Sequence, residues 1–199
     1  MSNTAYRTEH IEREGFRFRV EYFYDDDSTP PWEDDCGTGI VSDWTRRDKK
    51  PGEVVLCEDR GSKRFYDWQR TMGKAKKEGW GLSEKARVEL VAKLGREPKP
   101  GEVRHAAVQM DFDILRDWCR NEWWYCGIVL TYCPDDEDEP DTDYGYALWR
   151  VEDGYDSKWS DYHPEVIDNL LIDALHPLVE ARDKAAAALA WVEQEYTSW

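Results

Sequence analysis

The sequence predicts an α+β fold: an antiparallel-rich sheet of about five strands with helices packed on one face, plus a C-terminal alanine-rich helix. Three observations carry this. Alternation of apolar and polar residues marks a half-buried strand at 15–24. Apolar residues at steps of three and four mark helices at 60–80, 83–95, 102–124 and beyond 160. The segments run as three strands, three helices, two strands and two helices, which is not the regular strand–helix alternation of a parallel α/β sheet.

Each element follows from its residues. In "GFRFRVEYFY" (15–24), Phe16, Phe18, Val20, Tyr22 and Tyr24 share one face of a strand. "GIVSDW" (39–44) and "EVVLCED" (53–59) are short strands, joined as a hairpin through the turn Lys50-Pro51-Gly52. Phe65, Trp68, Met72 and Ala75 then form a helical stripe, with Ser62 as N-cap and Gly79 as terminator. A short helix at 83–95 closes at Gly95, "REPKPG" (96–101) is a linker, and Val108, Phe112, Leu115 and Cys119 give the next helix its core face. "YCGIVLTYC" (125–133) is an apolar central strand, and "YGYALWRVED" (144–153) returns beside it. From residue 160 the positions Ile167, Leu171, Ala174, Leu178, Ala181, Ala185, Ala188 and Val192 repeat as a heptad-like seam, with a break expected at His176-Pro177. The expected organisation is a loose segment at 1–14, one domain at 15–175 with a helical insertion at 83–101, and a terminal helix at 176–199, either packed on the domain or used for self-association.

Composition bounds the function. The 199 residues carry a formal charge of −16, yet 11 Trp, 11 Tyr and 5 Phe supply apolar area that disordered chains lack. An acidic excess disfavours nonspecific binding to phosphate backbones and favours a basic partner. Five cysteines are an odd number and no signal peptide is visible, so a reducing cytosol without a disulfide framework is expected. No apolar run reaches the roughly 20 residues of a membrane span.

The strongest charge feature is the segment following Cys133, where Asp135, Asp136, Glu137, Asp138, Glu139, Asp141 and Asp143 fall within ten residues. Neither register beginning at Asp136 or Asp141 supplies the turn glycine of a calcium loop, so no metal is expected there, and no metal site or cofactor is expected anywhere in the chain. With Tyr146 and Trp149 close behind, the segment reads either as a solvated loop or as an acidic, aromatic-bearing interaction surface. The opposite charge lies at 44–79, where Lys63, Arg70, Lys74 and Lys77 line one helix face as an alternative anion-binding site for nucleic acid. Cys119, Cys126 and Cys133 recur every seven residues, a spacing that suits buried packing better than zinc. No His-x-x-x-His pair or nucleophile elbow is present, and acidic pairs such as Asp111 with Asp113 or Glu152 with Asp153 are unremarkable among 43 acids, so no catalytic residue is assigned.

"VSDWTRRDKKPGE", "LCEDRGSKRFYDWQ", "KKEGWG" and "DFDILRDWCRNEWWYCGIVLT" together resemble a family of small acidic proteins of tailed bacteriophages and prophages. The resemblance implies expression in the cytoplasm of an infected bacterium and carries over no functional residues. The resulting expectation is a non-enzymatic protein whose acidic surface occupies a basic site on a host protein or complex, as a defence antagonist or nucleic-acid mimic. Its alternatives are a nucleic-acid-binding accessory protein and a homo-oligomer built through the C-terminal helix.

Overall fold

Glu14 and Gly15, both at positive φ, turn the chain so that Arg7–Arg13 (β1) folds back antiparallel on Phe16–Tyr24 (β2) in the computed structural model. The structure describes residues 4–33, 37–134 and 141–197. Its helices and strands form an α+β fold. Residues 7–13 of the segment expected to be loose therefore form an edge strand. Backbone pairing holds it although little of its surface is apolar, which is why alternation did not reveal it.

The chain divides into two compact units, 1–28 with 124–199, and 29–123. In the first, β2 pairs antiparallel with Trp123–Tyr132 (β5), and Asp141–Gly154 (β6) completes a sheet of order β1-β2-β5-β6. Inward residues Phe18, Val20, Tyr22, Cys126, Ile128, Leu130 and Val151 meet Ile167, Leu171, Ala174 and Leu178 of the helix His163–Thr197 (α4). This helix runs through Pro177, where a break was expected. Proline removes one backbone bond there, but Ala174 and Leu178 stay buried on either side and tether both turns to the sheet.

The second unit holds Glu53–Asp59 (β3), Ser62–Asp67 (β4), Trp68–Glu78 (α1), Glu84–Leu94 (α2) and Pro100–Cys119 (α3) around Leu56, Tyr66, Ala75, Val108, Phe112 and Leu115. The expected hairpin between 39–44 and 53–59 does not form. Arg60 and Gly61, both at positive φ, make the tight turn of a β3–β4 hairpin instead. Val41 and Thr45 bridge to β4 at Tyr66 and Lys63. The helix foreseen from Ser62 consequently begins at Trp68, capped by the Asp67 side chain, because pairing with β3 claims the preceding six residues. Gly79 and Gly95 end α1 and α2 in left-handed conformation, as their positions suggested. A disulfide joins Cys57 of β3 to Cys119 of α3, where none was expected from the odd cysteine count, so Cys119 is a crosslink as well as a packing residue.

Candidate functional site

The acidic segment only partly enters the described structure. Asp135, Asp136, Glu137, Asp138 and Glu139 lie outside the described residues, and Asp141 and Asp143 belong to the beginning of β6. The two aromatic candidates differ from each other. Tyr146 is half-buried and packs against the core of the first unit. Trp149 is 49% exposed, and its indole lies over Gly127 so closely that an added Cβ there would collide with the ring. Phe23 flanks it at a ring separation of 6.5 Å. Trp149 thus packs one face on the sheet and leaves about half of its surface exposed. At the next residue, Arg150, φ is +64°; its backbone N–H donates to Asp25 at 3.1 Å, and its guanidinium lies over Tyr125.

The four basic candidates do not share a helix. Lys63 is on β4 and pairs with Glu58 at 3.5 Å. Arg70 and Lys74 are on α1, where Arg70 lies 3.9 Å from Asp67 and Lys74 donates to the Thr38 carbonyl at 2.9 Å. Lys77 is exposed in the last turn, where a cation complements the helix dipole. Three of the four therefore have interactions within the second unit. The paired acids noted in the sequence are similarly engaged. Asp111 accepts from the Tyr66 hydroxyl and the Gly39 N–H, while Asp113 accepts from Gln109 and Arg116.

A cluster that sequence spacing did not reveal lies at one end of the first unit. Cys126 enters from β5, Asp153 from β6 and His163 from the first turn of α4, and all three are buried. The thiol sulfur, a carboxylate oxygen and an imidazole nitrogen lie within 4.8 Å of one another. Tyr6 donates to Asp153 Oδ2 at 2.6 Å, and the Gly154 N–H donates to Oδ1 at 2.8 Å. His163 Nε2 is 2.7 Å from the Glu152 carbonyl, which can only accept, so Nε2 carries the proton and Nδ1 keeps its lone pair. Arg7 Nη2 points at Nδ1 from 3.3 Å, while its guanidinium also stacks on Tyr22 and lies 3.9 Å from Asp153. Burial pushes the Cys126 thiol up to about 11 and Tyr6 well above the phenol range. A buried, neutral thiol beside an imidazole whose other nitrogen is held on a carbonyl is poorly placed as a nucleophile. The set is instead chemically suited to ligation or to a closed hydrogen-bond network.

Two further surfaces stand out. In α4, residues 181–194 are all exposed, including Leu189, Trp191 and Val192. Within the second unit, α2 and α3 enclose an open groove of about 730 Å³ lined in part by Leu90, Leu94 and Met110. Among the described residues no helix is long and apolar enough to cross a membrane. No known family, no curated protein and no solved structure matches the chain.

Proposed function

We propose that this protein acts by binding rather than catalysis, its acidic surface covering a basic site on a protein of an infected bacterium that otherwise handles nucleic acid. The observation that carries this reading is Trp149: a half-exposed indole, held flat on Gly127, on the strand that follows the acidic segment. A preordered aromatic loses little conformational freedom on docking and is a frequent energetic anchor. Residues 131–163 carry 11 acidic residues against Arg150 and Lys158, which suits electrostatic steering toward a cationic surface. The phage resemblance supplies the cellular setting, the host cytoplasm.

The test is capture from infected-cell lysate after nuclease treatment, followed by affinity measurement against the retained protein at two salt concentrations. Trp149→Ala is expected to weaken binding by roughly tenfold or more. Amide replacement of the seven acids is expected to weaken it further and flatten its salt dependence. Affinity that both variants leave untouched overturns the reading.

A second reading has its own observation. The exposed stretch of α4 with Leu189, Trp191 and Val192 suits self-association through that helix. The nucleic-acid alternative is supported less, because Lys63, Arg70 and Lys74 are already engaged within the chain.

A further inference from the structure

We propose that Cys126, Asp153 and His163 form a binding site for a divalent cation of the zinc class, which fastens α4 to the sheet. Thiolate, imidazole and carboxylate are the three protein donors that zinc accepts, and a site with three of them leaves one position for water. The residues come from three different elements, so one ion would tie β5, β6 and the start of α4 together.

Several features of the cluster support ligation over simple packing. The imidazole shares one feature of metal-bound histidines, an N–H held on a backbone carbonyl, and its other nitrogen meets the Arg7 guanidinium. That carbonyl, Glu152, also accepts from the Tyr162 hydroxyl at 3.3 Å, so the ring is held by a supported partner. Asp153 is oriented in the same manner by Tyr6 and the Gly154 N–H. The donor atoms lie within 4.8 Å of one another, somewhat wider than a tetrahedral zinc site requires, so a bound ion would draw them together. A surface pocket of about 170 Å³, lined by Arg7, Glu9, Tyr22, Ser160, His163 and others, opens directly beside the imidazole.

Arg7 is the competing cation. Its guanidinium faces Nδ1 and Asp153, and it borders the pocket beside His163. Glu9, 3.1 Å from Arg7 Nε, offers it an alternative acidic contact on the same strand. An ion entering the cluster therefore displaces the Arg7 contact with His163. This yields a signature that a generic acidic surface lacks: removing the Arg7 charge is expected to strengthen binding.

The experiment is a Co²⁺ titration of the full chain, purified under reductant and stripped with chelator, read by absorption and competed with Zn²⁺. The expected result is one ion per chain, a thiolate-to-cobalt charge-transfer band, and Zn²⁺ displacing it. Cys126→Ser is expected to abolish the band, and His163→Gln to weaken binding by more than about tenfold. Arg7→Gln, on a partly exposed side chain, is expected to tighten it by roughly tenfold. Zn²⁺ should raise the thermal midpoint of the natural chain but not of Cys126→Ser. The natural chain alone suffices to overturn the proposal: no stoichiometric uptake, or uptake without a thiolate band, does so. A band of unchanged intensity in Cys126→Ser assigns the ion to another cysteine and also overturns it. Loss of partner binding without loss of Co²⁺ uptake would leave this site standing and count only against the proposed docking surface.

Discussion

Glu53 is a carboxylate whose surroundings are arranged for its charge. Arg47 contacts both of its oxygens at 2.6 Å, and the Lys50 N–H adds a third bond at 2.8 Å. The Arg47 guanidinium, above all, holds Glu53 down at about 2 against an ordinary 4.5. A carboxylate depressed on folding contributes stability that is present above its unfolded value and is lost as pH falls through its folded one. For Glu53 that window runs from 4.5 down to about 2. Glu53→Gln is therefore expected to lower the urea midpoint at pH 7, with the difference from the natural chain shrinking through that window. A difference independent of pH would mean that shape rather than charge matters at this position. Asp153 illustrates the converse, a buried acid accommodated by a tyrosine hydroxyl and a backbone N–H instead of a close bidentate arginine. Its place was partly legible, since it shares strand parity with buried Val151 and an inward acid needs a reason. Its partners were not legible: Cys126 is 27 residues earlier and His163 ten later, distances that no local motif spans.

At the scale of elements, local patterns held where one periodicity governed a segment and failed where two met. The stripe Phe65, Trp68, Met72 and Ala75 is helical in spacing, but its first member lies in β4. Phe65 satisfies a strand and a helix register at once, so the period was read across a boundary. The Arg60-Gly61 turn escaped because arginine is an uncommon residue at positive φ. The seam of α4 shows how one pattern can serve two environments. Ile167, Leu171, Ala174 and Leu178 are buried, whereas Ala181, Ala185, Ala188 and Val192 continue the same spacing into exposed helix. Helical propensity, strong in an alanine run, supports those last turns, and Arg182 adds contacts with the Glu14 carbonyl and the Phe16 ring. Truncation after Val179 is accordingly expected to leave the thermal midpoint within a few degrees of the full chain, because it removes no core residue. If the second functional reading holds, sedimentation will show the full chain as an oligomer and the truncated chain as a monomer. Truncation that unfolds the protein would show instead that the exposed turns support the core.

For the molecule as a whole, the decisive quantity is charge. A formal charge of −16 on 199 residues is more than solubility requires of a small domain, for which a magnitude of about 2–8 suffices. The excess repels itself in the folded state, and salt relieves that repulsion as the screening length falls from about 30 Å at 0.01 M to about 8 Å at physiological strength. The thermal midpoint is therefore expected to rise with added salt, opposite to a fold held together by surface ion pairs. Converting the seven acids between Asp135 and Asp143 to amides should raise the midpoint at low salt and reduce its salt response. The same variant is expected to bind the basic partner more weakly, so the two readouts move in opposite directions. That opposition distinguishes acids retained for a partner from acids that merely keep the chain in solution. In the second case neutralisation improves stability at low salt and leaves partner affinity unchanged. A midpoint that falls on neutralisation would assign those carboxylates a structural role and remove the physical basis for both alternatives.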